Sequence, residues 1–155
     1  MTVTFETDES PSVTAFEGGI AEVVSSNQPA GSDGDVVKFT KAADGKPWAG
    51  VTFTQIDTGE LINPNSTIVS MDVLSPKDGA TVMLKLEDAS DPTIHVLLNA
   101  VTETNGSEAW ETLTWDFGGT LNSESPALDH ANTYSKASVF FDFQVDGDDL
   151  SLIHI

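Results

Sequence analysis

Cysteine does not occur in the 155-residue chain. Disulfides, thiolate zinc sites, iron–sulfur clusters and cysteine nucleophiles are therefore excluded. Arginine is missing too, so the six basic residues are all lysine, against 25 aspartates and glutamates. Without a guanidinium there is no forked donor for phosphate or carboxylate. A formal net charge of -19 repels nucleic acid and anionic membranes, and neither is expected as a partner. No apolar run approaches the roughly 20 residues that a membrane helix needs. The opening MTVTFETDES has neither the basic start nor the apolar middle of a signal peptide, so any export signal would lie upstream of it. Helical periodicity is almost absent, with no window carrying an apolar stripe at i, i+3, i+4 and i+7. The GxSxG, HExxH, P-loop and dinucleotide fingerprints are absent as well.

Strand signals are present in their place. Short runs rich in Val, Ile, Thr and Phe are separated by NQPAGSDGD, ADGKP, NPNS, SPKDG, ASDP and TNGS, all with turn chemistry. They predict strands near Thr2–Glu6, Ile20–Ser25, Asp35–Thr40, Ala49–Gln55, Thr67–Leu74, Ala80–Glu87, Thr93–Glu103, Ala109–Phe117 and Lys136–Phe143. Strands at this spacing imply an all-β, antiparallel sandwich or barrel in one domain. That domain is expected to span residues 1–149. The last six residues, LSLIHI, follow the acidic QVDGDD abruptly and match the coding of a transposon end, so residues 150–155 are read as a non-native tail. The alternative is an ordinary apolar last strand.

Side chains alternate between the two faces of a strand, and the alternation sorts the tryptophans. In AWETLTWDF, Leu113, Trp115 and Phe117 share an apolar face, while Trp110, Thr112, Thr114 and Asp116 share a mostly polar one. Trp115 is therefore predicted in the core and Trp110 on the other side. Val82, Leu84 and Leu86 are predicted inward, with Met83, Lys85 and Glu87 outward. Ile94, Val96, Leu98 and Ala100 face in; Leu97 and Val101 join His95, Asn99 and Glu103 on an outer face, which a loop would cover or a ligand would meet.

The order of FEGGIAEVVSSNQPAG, DVVKFTK, PWAGVTF, STIVSMDVLSPKDGATVMLKLED, AWETLTWDFGG and YSKASVFFDF resembles the jelly-roll carbohydrate-binding modules attached to secreted bacterial polysaccharide-degrading enzymes, marine ones especially. The resemblance runs from Val3 to Phe143. It implies a jelly-roll β-sandwich, a secreted or cell-surface location, and a place in a larger multidomain chain. It also implies a polysaccharide partner, a glucan or a marine glycan. Such modules often hold one structural Ca2+ between first and last strands; by resemblance its ligands would be Glu6, Glu22, Asp142 and Asp148.

A pyranose has apolar C–H faces on which rings stack and hydroxyls that polar side chains bond. Trp48, behind a turn, and Trp110, on a polar face, are the candidate platforms, with Tyr134 a weaker one. Lys85, Glu87, His95 and Asn99 are the candidate hydroxyl partners. Lys85, Glu87 and His95 are also the residue types a polysaccharide lyase uses for proton abstraction, but an ordinary polar face accounts for them without catalysis. With 25 acidic residues, chance carboxylate pairs are certain and point to no hydrolase. The expected role is non-catalytic, anchoring a secreted enzyme or adhesin to a polysaccharide. The alternative is a structural or adhesive sandwich from a surface or phage protein that binds no sugar.

Overall fold

The computed structural model describes residues 11–27, 33–54, 62–107, 109–148 and 151–154. Ten strands occur among them. They are β1 (Ser12–Phe16), β2 (Gly19–Asn27), β3 (Asp33–Lys41), β4 (Gly50–Thr54), β5 (Ile68–Leu74), β6 (Val82–Glu87), β7 (His95–Asn99), β8 (Trp110–Asp116), β9 (Lys136–Phe141) and β10 (Ser151–His154). They form two five-stranded sheets, ordered β1-β4-β9-β6-β7 (sheet A) and β2-β3-β10-β5-β8 (sheet B), with every pairing antiparallel. The architecture is the expected jelly-roll sandwich.

The core lies where the inner faces meet. Val37 and Phe39 of β3, Val51 and Phe53 of β4, Val82, Leu84 and Leu86 of β6, Leu113 and Trp115 of β8, and Val139 and Phe141 of β9 are all buried. Each large aliphatic side chain so buried contributes about 1.5–3 kcal/mol before entropy is counted. Trp115 is 0% exposed, and its indole N–H donates to the Val82 carbonyl at 3.3 Å, so the only polar atom of its ring is satisfied inside the core. The period-two reading of this strand holds. Leu74 pairs with Trp110, and Asp72 with Thr112, on the outward side of sheet B.

Three departures from the predicted elements have local causes. β1 was not expected; its five residues fit between buried Pro11 and a tight turn at Glu17–Gly18, both at positive φ, that feeds β2. The strand predicted over Thr93–Glu103 stops at Asn99. There the chain leaves sheet A, since Ala100 N–H still bonds Val82 of β6 but Val101 N–H bonds Thr114 of β8. The run read as a tail supplies β10, which pairs with β3 from Ser151↔Lys41 to His154↔Lys38 and meets β5 at His154↔Leu74. The strand predicted near Thr2–Glu6 lies outside the described residues.

Candidate functional site

The outward face of sheet A is assembled from β1, β4, β9, β6 and β7, and the pairing registers arrange it in three rows. One row runs Phe16, Gly50, Phe140, Met83, Asn99. The middle row runs Thr14, Thr52, Ser138, Lys85, Leu97. The third runs Ser12, Thr54, Lys136, Glu87, His95. Strand spacing and rise make this a surface of about 19 Å by 13 Å, the size of a few sugar rings.

At one end the face is aromatic. Phe16 and Phe140 meet edge to face with centroids 5.4 Å apart, and Phe140 meets Phe143 likewise at 5.9 Å. Gly50 sits beneath this cluster, where a Cβ would come within 2.8 Å of the Phe16 ring. In the middle, Thr52 and Ser138 hydroxyls share a hydrogen bond of 2.8 Å. At the other end Glu87 is 4% exposed although it points outward. One of its oxygens accepts from Lys85 Nζ and the other from Lys136 Nζ. Burial would push the Glu87 carboxyl up, but the two ammonium hydrogen bonds and charges outweigh it and hold the group below the usual carboxylate range.

A loop walls the β7 side. β7 is an edge strand, and its outward N–H groups need partners. Asn122 Oδ1 accepts from Asn99 N–H at 3.1 Å, and Ser125 Oγ accepts from Leu97 N–H at 2.9 Å. Asn122 then reaches onto the face, donating to Asn99 Oδ1 at 3.1 Å and lying 3.8 Å from Met83 Sδ. The partly apolar outer side of this strand is thus met by a loop. At the far end of β7, His95 Nδ1 donates to the Pro92 carbonyl at 3.1 Å.

Four of the sequence-predicted residues therefore share one surface. Lys85 and Glu87 touch, His95 lies across from Glu87, and Asn99 lies across from Met83. Trp48 is 50% exposed on the turn before β4. Its neighbour Pro47 accepts from Gln144 N–H at 3.0 Å, and Gly50 follows two residues later, so the turn stands at the aromatic end of sheet A. Trp110 does not join them: it is half-buried on the outward side of sheet B, paired with Leu74. Tyr134 is buried, its hydroxyl donating to the Asp129 carbonyl at 3.3 Å, and has no face to offer a ring. Sequence reasoning missed Lys136, Ser138, Phe140, Thr52 and Asn122. The alternation in KASVFF would have put the first three on one face, but nothing local says that β9 lies beside β6.

The residues suggested for a cation have other partners. Glu22 pairs with Lys38 at 3.2 Å on sheet B. Asp142 and Asp148 both bind the Lys77 ammonium, Asp148 at 3.3 Å, and the Asp142 hydrogen bond is the main cause that raises the Lys77 pKa. Glu6 lies outside the described residues. Among the described residues no group of three or more His, Asp or Glu side chains converges as a metal site would require.

The fold is that of jelly-roll β-sandwich domains, and solved structures share it. The chain is similar to an exo-β-agarase, with a TM-score of 0.62 and 12% identity over 99% of this chain and 24% of that one. It is similar to the CBM22-2 xylan-binding domain of Xyn10C from Paenibacillus barcinonensis, with a TM-score of 0.57 and 16% identity, covering 98% of this chain and 92% of that domain. It is also similar to the family 11 carbohydrate-binding module of the cellulosomal cellulase Lic26A-Cel5E of Clostridium thermocellum, with a TM-score of 0.55 and 14% identity, covering 97% and 89%. The resemblance to carbohydrate-binding modules drawn from the sequence thus extends to the fold. No protein-family model matches the chain, and no curated protein does.

Proposed function

We propose that this chain is a non-catalytic carbohydrate-binding module and that the outward face of sheet A is its glycan surface. The observation that carries the reading is the composition of that face. Half-buried rings lie at one end, hydroxyls in the middle and paired charges at the other, on a surface walled by the 118–135 loop. Rings meet the C–H faces of sugars, and hydroxyl, amide and ammonium groups meet their edges. The shared fold with a xylan-binding domain and a family 11 module supports the same reading. A non-catalytic role fits Glu87. A carboxyl held below its ordinary range by two ammonium groups is a weak base, and proton abstraction needs a stronger one. The module would act by avidity, keeping a linked enzyme or adhesin of a secreted or surface protein close to the polymer.

Affinity electrophoresis through gels containing xylan, β-glucan, agar or an acidic polysaccharide tests the proposal. Retardation by at least one polymer is expected. Ser138→Tyr, which fills the middle row, should abolish it, while Trp110→Ala on the opposite sheet should change it less than about twofold, since Trp110 is remote from the contact. Loss on Trp110→Ala with no effect of Ser138→Tyr would place the surface on sheet B and overturn the assignment.

A further inference from the structure

The chain as a whole is a polyanion, and the face of sheet A is the exception. Two of the six lysines, Lys85 and Lys136, stand on it around a single acid. The three rows contain no other acidic residue, so with neutral histidine the formal charge of the face is +1 on a protein of -19. The one carboxylate is almost sealed from water, whereas the Lys85 and Lys136 side chains keep 25% and 29% of their surface exposed. Each ammonium has three donors, and among the described residues each gives one hydrogen bond, to Glu87. Past the end of β6, Asp88 and Asp91 are engaged within their own turn. Asp88 accepts from Ser90 N–H and Oγ, both at 2.7 Å, and Asp91 accepts from Thr93 N–H at 3.0 Å and Oγ1 at 2.6 Å.

Resting on the carbohydrate-binding reading, we infer that the preferred ligand is an anionic polysaccharide, its carboxylate or sulfate groups received by Lys85 and Lys136. Glu87 positions the two ammonium groups and leaves their remaining donors pointing past it. Toward a carboxylate or sulfate each ammonium gains a charge–charge attraction that a neutral hydroxyl does not offer, so anionic substituents gain more from this pair than plain sugars. Screening over about 8 Å at physiological salt confines the repulsion of the distant acids and lets the local charge decide. A nucleic acid is excluded by the same arithmetic. Its dense phosphates need a long basic surface, and here two ammonium groups stand on an acidic protein.

Isothermal titration of the full chain compares four probes, neutral xylan, neutral β-glucan, polygalacturonate and a sulfated galactan. Binding of at least one anionic probe about tenfold or more tighter than both neutral ones is expected. Which anionic probe binds tells carboxylate from sulfate. Lys85→Gln with Lys136→Gln should remove the preference, and the Lys85→Arg, Lys136→Arg pair should keep it. Because the four-probe comparison uses the unaltered protein, it stands even where a variant folds poorly. Equal affinity for neutral and anionic probes, or a preference for neutral ones, overturns the inference and leaves the carbohydrate-binding reading standing. Binding of none of the four overturns the inference, and, together with no retardation on agar, overturns the carbohydrate-binding reading as well.

Discussion

Sheet B turns Glu22, Lys38, Asp72, Thr112 and Asp116 to the outside, and sheet A turns Lys85, Glu87, Lys136 and Ser138. Both sets obey the same alternation, yet their environments differ. On sheet B the pairs are those that register brings together at an exposed surface. Thr112 donates to Asp72 at 2.6 Å, Thr67 to Asp116 at 2.9 Å, and Lys38 to Glu22 at 3.2 Å. Ile68 on the same side is 58% exposed. On sheet A, Met83, Glu87 and Ser138 are buried although they also point outward. The sign of charge differs as well, with three acids to one lysine on the outer side of sheet B and two lysines to one acid on sheet A. An outward position on a strand is thus not the same as a wet one. The 118–135 loop that satisfies the edge of β7 also meets Met83 and Asn99 of the neighbouring row, and two lysines flank Glu87.

The contrast is sharpest in paired substitutions on the two faces. Met83→Ala on sheet A should cost about 2–3 kcal/mol, because it opens a cavity beneath Asn122. Ile68→Ala on sheet B should stay within about 0.5 kcal/mol, because the side chain is mostly in water already. Urea denaturation of both variants measures the gap, and equal losses would mean that the two faces are alike.

A smaller difference is expected among the charged residues. Glu87→Ala leaves two ammonium groups without their shared acceptor and should cost about 1–2 kcal/mol, with the quarter-exposed lysines recovering part of the loss from water. Asp72→Ala should cost less than about 1 kcal/mol. If Asp72→Ala proved the more damaging in thermal melts, the sheltered ion pair would not be what distinguishes sheet A.

The smallest effect is one of pH. The Glu87 carboxyl is held below its unfolded value, so its contribution is complete above the ordinary carboxylate range. It is lost as pH falls through the lower folded value. The stability gap between the unaltered protein and Glu87→Gln should therefore be largest near neutrality and close in acid. Unfolding midpoints at neutral and acidic pH check this, and a gap independent of pH would contradict the assigned ionisation.

How much of this could be read in advance follows the range of the interactions. Lys85, Glu87, His95 and Asn99 were legible because β6 and β7 are consecutive and each shows its alternation within a few residues. Lys136 and Ser138 were not, because β9 joins β6 across some fifty residues, from Val82↔Phe141 to Glu87↔Lys136. Trp110 was placed correctly on a polar face, but which of the two sheets that face belonged to depends on the partner of β8, which is β5. β1 escaped notice because SVTAF is only five residues long and carries one strongly apolar pair, Val13 and Phe16, at a spacing that alternation does not favour.

The amino-acid sequence alone determined the all-β class, the inward set around Trp115 and the excess of negative charge. These are properties of period-two patterning and composition, which act within one strand or over the whole chain. Only the tertiary structure decided that the two exceptional lysines stand around one glutamate and that a loop closes over the edge of β7 beside them. Both outcomes depend on long-range strand pairing and on the need of an edge strand's N–H groups for acceptors.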